Sequence, residues 1–274
     1  MFTFDTNSLN NLSLISKGVR FHNLSHDALL ASLAGSLNSS LYPNQILIGS
    51  PDYYYAWAWS AQLLLNSNTA YLGYEDYDLT DLLKNAVISA LCSSRSHDSL
   101  QLSHYEKLLL SRSIHIFPYL TFPLLESVLR KANSNYISRD GKITCDFKVP
   151  SRGGGTTKYG KGGKRTCSSV RDLLWLYYNN ASTAQKKSID ECLVCISNQG
   201  KKHPFDQIYD WRNGLMHGNE SLNLAGGAIL TLSLTILLIE TESEFEQMRE
   251  KACEFVRIYQ SRPGRPEWIY YPPF

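Results

Sequence analysis

Within six residues, Arg212-Asn213-Gly214-Leu215-Met216-His217 gathers a guanidinium, an amide and an imidazole beside two glycines and just ahead of a strongly apolar stretch. An imidazole, with an unperturbed pKa of about 6.5, takes or gives a proton near neutrality. A guanidinium stays charged and grips an anion's oxygens in pairs. Together these are the parts of a proton-transfer site acting on an anionic substrate. On a regular helix, residues five apart point about 140° away from each other, because each step turns about 100°. Arg212 and His217 therefore converge only if the helix breaks near Gly214 or if a second subunit completes the site.

A second chemical feature is the segment from Lys148 to Arg171. It carries seven Lys or Arg and no acidic residue, while the whole chain has a formal charge of only +2, so the remainder carries −5. Gly153-Gly154-Gly155 and Gly160-Lys161-Gly162-Gly163-Lys164 let its backbone approach a phosphate closely or simply stay mobile. Gly155-x4-Gly160-Lys161 approaches a phosphate-binding P-loop, but Gly162 stands where the magnesium-ligating Ser or Thr belongs. Two readings stay open: a basic loop touching RNA phosphates through Lys158, Lys161, Lys164 and Arg165, or an ordinary solvated loop.

The remaining candidates are weaker. Cys192-x2-Cys195 falls on a helix whose apolar face holds Ile189, Cys192, Leu193 and Ile196, so it reads as structural rather than as a zinc or redox pair. His22 and His26 have no companion ligands, and His97, His104, His115 and His203 are isolated. No metal and no cofactor is expected.

The elements that must position these groups are mostly helices. The chain is 274 residues long and 43% hydrophobic, enough for a sizeable core. Ser25 can cap a helix through Leu33, residues 81–88 repeat the spacing, and Ser103-x2-Glu106 is a capping-box pattern. Thr121-Phe122-Pro123 is expected to open a further helix, with others over 169–178, 183–197 and 242–259. Leu230 to Ile236 alternates like a strand, yet among helical neighbours 224–239 is better read as a buried helix than as a strand or a membrane span. Gln45 to Ile48 suggests one short strand. The aromatic cluster around Tyr53, Trp57 and Trp59 suggests core or dimer packing before a base-stacking platform. The proline-rich residues 261–274 suggest an extended arm. The first residues show no basic and apolar secretory pattern, and the dispersed cysteines fit free thiols, so a cytoplasmic setting is expected.

Arg212-Asn213-x3-His217 resembles the R-N-x3-H form of the R-x4-6-H motif of HEPN domains, and Phe122 to Arg130 resembles the first long helix of that bundle. The resemblance covers about residues 115 to 258. It implies an all-α HEPN-like helical bundle at 101–260, preceded by an additional mostly helical region at 1–100. It further implies a metal-independent endoribonuclease, a toxin or antiphage effector that cleaves single-stranded or loop RNA to 2′,3′-cyclic phosphate and 5′-hydroxyl ends. The site would be composite in a homodimer, with an antitoxin or other regulatory partner possible. By the match His217 is the general acid/base, Arg212 the phosphate clamp and Asn213 an orienting partner, with Glu126 and Asp210 as supporting carboxylates. Asn219 stands where related toxins carry a modifiable Tyr, which argues against that mode of silencing. Two alternatives remain: a non-catalytic HEPN-like module that binds RNA or nucleotide through the basic loop, and a helical assembly protein.

Overall fold

The computed structural model describes residues 18–41, 52–66, 69, 71–73, 76–93, 103–197, 202–218 and 223–260. The helices are α1 (His26–Leu41), α2 (Asp52–Asn66), α3 (Tyr77–Ser93), α4 (His104–Ala132), α5 (Val170–Asn180), α6 (Thr183–Ser197), α7 (Pro204–Met216), α8 (Asn223–Glu240) and α9 (Phe245–Gln260). A two-stranded antiparallel hairpin, β1 (Phe147–Pro150) and β2 (Thr156–Tyr159), interrupts them. The chain is predominantly helical, as its periodicity implies. The expected strand at 45–48 and the arm at 261–274 lie outside the described residues.

Helix α8 is the axis of the fold. Every residue from Ala225 to Ile239 whose packing is described is buried, and α4, α1, α2 and α6 pack around it. Its alternating Leu and Thr/Ser pattern is compatible with a helix because each hydroxyl finds a partner. Thr231 and Ser233 donate back to Gly227 and Ile229 carbonyls at 2.9 and 2.8 Å, and Trp57 Nε1 donates to Thr231 Oγ1 at 2.9 Å. Satisfying the hydroxyls locally removes the cost of burying them. Gly226 sits where α8 crosses α4, and a Cβ there would stand 2.7 Å from the Phe117 ring and 3.3 Å from Pro118. No single described helix is long and apolar enough to cross a membrane.

Helix α4 corrects one expectation. Thr121-Phe122-Pro123 does not open a new helix; a single helix starts at the Ser103 capping box and runs through Pro118 and Pro123 to Ala132. The prolines each withdraw a backbone donor, but the buried face of Phe117, Phe122, Leu124, Leu125, Val128 and Leu129 is continuous across them and packs on α3 and α8. Thr121 Oγ1 donates to the Pro118 carbonyl at 3.2 Å. Packing thus outweighs the local break. At the far end Asn133, buried, donates to the Leu129 and Leu173 carbonyls at 2.8 and 3.1 Å and ties α4 to α5.

The boundary drawn near residue 100 divides sequence features rather than cores. One continuous buried cluster includes Phe21, Leu33, Trp59 and Leu83 together with Leu125, Leu174, Leu232 and Ala252. Tyr53, Trp57 and Trp59 are buried within it, which is the core role expected of the aromatics. Cys192 is buried on the apolar face of α6, 3.4 Å from the Thr235 hydroxyl.

Candidate active site at the end of α7 and the adjoining basic cleft

Helix α7 begins with His203, whose Nδ1 accepts from the Phe205 N–H at 3.2 Å, followed by Pro204 in the first turn. Phe205, Ile208 and Leu215 form its buried side. The helix does not break at Gly214; it continues to Met216 and closes at His217, whose N–H donates to the Asn213 carbonyl at 3.1 Å. Gly218 follows at φ +70, the left-handed conformation that ends helices at little steric cost. The divergence of positions 212 and 217 along a helix therefore stands.

Arg212 lies partly buried, and its Nε donates to Glu126 Oε1 on α4 at 3.1 Å. Glu126 also faces Arg130 Nη2 at 3.6 Å, so one carboxylate is shared by two guanidiniums. Among the described residues the terminal nitrogens of Arg212 have no partner. His217 is exposed; it closes the helix with its backbone, and its imidazole has no hydrogen-bond partner among the described residues. Asn213 meets His217 through its backbone carbonyl, not its amide side chain. Asn219 lies outside the described residues.

Asp210 takes a different place from the one anticipated. It accepts from Arg152 Nη2 at 2.5 and 2.8 Å and from Lys202 Nζ at 2.8 Å, and these two cations hold its carboxyl below the usual range despite partial burial. Instead of supporting Arg212 or His217, it anchors the basic segment onto α7.

The first half of that segment is a hairpin, not a plain loop. Lys148 pairs directly with Lys158, and Phe147 with Tyr159. Because strand side chains alternate, Tyr159 and Thr157 face inward while Lys148 and Lys158 share the outer face. Phe147 and Tyr159 stack at 4.6 Å. The four residues grouped as RNA-binding in the sequence are consequently spread out. Lys158 is on the outer face, Lys161 and Lys164 are exposed in the following turn, and Arg165, also exposed, rests its guanidinium 4.7 Å from the Tyr159 ring centre.

Inside the hairpin, against α5 and α7, lies a cleft of about 420 Å3 lined by Arg152, Arg165, Arg171, Tyr159, Tyr209 and serine and threonine hydroxyls. Arg152, Arg171 and Tyr209 are members that sequence spacing did not single out. The available signal was the Gly-rich turn flanked by Phe-Lys-Val-Pro and Thr-Thr-Lys-Tyr, a hairpin pattern that puts Arg152 in the turn; Arg165 lies beyond the end of β2 and reaches the same cleft through the chain that follows. Tyr209 lines the cleft three residues before Arg212, about 5 Å along the helix axis.

No family model matches the chain, and no match is found among curated proteins or solved structures. What the site does must be argued from its own chemistry. It offers an exposed imidazole, a guanidinium steadied by a carboxylate, and a cationic cleft one helical turn away.

Proposed function

We propose that the protein is a metal-independent endoribonuclease of HEPN type, cleaving single-stranded or loop RNA. The observation that carries the reading is a positioned Arg212, one turn from the basic cleft, together with an exposed His217 at the end of α7 whose imidazole has no partner among the described residues. His217 accepts the proton of a ribose 2′-hydroxyl, whose oxygen attacks the adjacent phosphorus. The bond from phosphorus to the 5′-oxygen breaks, the leaving oxygen takes a proton back from the imidazolium so formed, and the products carry 2′,3′-cyclic phosphate and 5′-hydroxyl ends. Arg212, oriented by Glu126, holds the phosphate oxygens as negative charge grows on them. Lys158, Lys161, Lys164 and Arg165 attract the RNA backbone. Since Arg212 and His217 of one chain diverge, a homodimer supplies the composite site. Exposed Tyr105, Leu108, Ile116 and Tyr119 along α4, and Met216 at the end of α7, offer apolar surface for that association. A cytoplasmic toxin or antiphage effector, restrained by a partner until needed, is the setting such an activity fits.

The Arg212–Glu126 ion pair also favours a second reading, in which the motif is structural and the protein binds RNA without cutting it. Incubation of labelled single-stranded RNA with the protein in EDTA separates the two. Cleavage by wild type that leaves cyclic phosphate ends, and that falls roughly 10²- to 10⁴-fold in His217→Ala and is lost in Arg212→Ala, supports the nuclease. Salt-sensitive binding without cleavage supports the binding module.

A further inference from the structure

The cleft behind the hairpin has a role of its own. Among the described residues no aliphatic side chain lines it; the walls are guanidiniums, hydroxyls and two tyrosine rings, so an apolar ligand would find little to bury against. The carboxylate that lines it, Asp172, is already engaged. Asp172 accepts from Arg171 Nη1 at 3.1 Å and from the Tyr159 hydroxyl at 2.5 Å. Arg171 is 6% exposed and engaged through Nε and Nη1: it also donates to Asp206 and, at 2.5 Å, to the Pro150 carbonyl, which fastens the hairpin to α5.

Arg152 and Arg165 are the cations left to receive a ligand. The Arg152 side chain is 47% exposed, lies 5.4 Å from the Tyr209 ring centre and shares Asp210 with Lys202, so that carboxylate is divided between two positive charges. Arg165 is exposed and has no carboxylate partner among the described residues; the Tyr159 ring holds it in place. Resting a guanidinium on an aromatic face orders it without cancelling its charge. Two guanidiniums ordered in advance at the rim of one cleft have already lost much of the side-chain freedom that anion binding would otherwise remove. The hydroxyls of Ser168 and Ser169, at the start of α5, add neutral donors on the same wall.

We infer that the cleft binds a nucleotide by its phosphate, through Arg152 and Arg165, with Ser168 and Ser169 as further donors and the half-buried Tyr209 beside the nucleoside. An RNA strand that continues along α7 to Arg212 is the source that suits the nuclease, and that part rests on the reading above; a free nucleotide offers the same chemistry.

The test uses full-length His217→Ala protein, so that binding is measured without cleavage. The probes are a fluorescent twelve-residue single-stranded RNA and, as competitor, AMP. Arg152→Gln with Arg165→Gln should weaken RNA binding at least about tenfold and lower the slope of log affinity against log salt by about 1.4, two single-strand phosphate contacts at about 0.7 each. Lys251→Gln with Arg257→Gln removes the same charge from α9, which packs on α2, and should change affinity less than about twofold. Displacement of the probe by AMP marks a free nucleotide as ligand, and displacement by unlabelled RNA alone marks the strand; either supports the cleft. Equal weakening by both pairs, or unchanged affinity in the cleft pair, overturns it. If circular dichroism shows the cleft pair to be unfolded, Arg165→Gln alone, which strands no carboxylate, should lower the slope by about 0.7. Cleft-dependent binding by a wild type that never cleaves would sink the nuclease and keep the cleft; cleavage that ignores the cleft would do the reverse.

Discussion

Glu126 is the residue on which the two readings of the motif diverge most usefully. If Arg212 serves only to tie α7 to α4, replacing Glu126 costs stability and nothing else, because a shared carboxylate between Arg212 and Arg130 is removed. If Arg212 must meet a phosphate, Glu126 is a positioning residue. Glu126→Gln keeps a hydrogen-bond acceptor for Nε but withdraws the charge. Cleavage should then fall about tenfold, well short of the roughly 10²- to 10⁴-fold loss for His217→Ala. Rates measured at several RNA concentrations should place the loss in kcat more than in KM. A variant with wild-type cleavage and a lowered melting temperature would assign Glu126 to the fold alone. The cluster of Arg212, Asn213 and His217 was legible from residue types and spacing, whereas Glu126 entered only through the resemblance, since its place off the apolar face of its helix marks it as nothing more than a surface carboxylate. Asp210 was legible as a carboxylate near the motif but not as the anchor of Arg152, since no spacing rule links positions 58 residues apart.

At the scale of elements, the sequence marked the helices where periodicity and caps agree, as at Ser103-x2-Glu106 and over 183–197, and misread two places for physical reasons. Pro123 is a favoured first residue of a helix, so α4 reads as two helices until its continuous buried face is seen to override two missing donors. The hairpin reads as a loop because its glycines and lysines mask two short strands whose inward residues are only Phe147, Val149, Thr157 and Tyr159. The start of α7 carries a prediction of its own. The His203 imidazole caps the helix as an acceptor and stacks on Trp175 at 4.5 Å; the resulting desolvation, aided by Arg171 and opposed by Asp206, lowers its pKa below 6.5. The folded state therefore takes up this proton less readily than the unfolded chain. The contribution is fully present above about pH 6.5 and is lost as pH falls from there through the folded pKa. Burial lowers the pKa of His22 too, so it adds to the same slope. His203→Asn preserves a cap without a titrating group. Its melting temperature relative to wild type should rise between pH 7.5 and 5.5; parallel curves would show that the cap does not titrate with folding.

For the whole molecule the question is whether one chain suffices. Helix α7 continues through Gly214, so the 140° separation expected of residues five apart is not relieved by a kink, and Glu126 holds Arg212 toward α4 while His217 faces solvent. A single chain thus presents the two groups of the proposed reaction in different directions, whereas in the proposed dimer a two-fold axis beside the end of α7 would bring each to the other's partner. The consequence is a complementation that no monomeric site allows. Arg212→Ala and His217→Ala proteins, each inactive alone, are unfolded together and refolded, giving about half heterodimers by random pairing. In each heterodimer one composite site is doubly damaged and the other is intact, so the mixture should recover about a quarter of wild-type cleavage. A mixture that stays inactive while light scattering shows heterodimers would require Arg212 and His217 to act within one chain, and a wild type that remains monomeric at all working concentrations would remove the second subunit from the mechanism. Recovery near a quarter would instead tie catalysis to assembly, making any partner that covers the apolar residues of α4 an inhibitor without touching the catalytic groups.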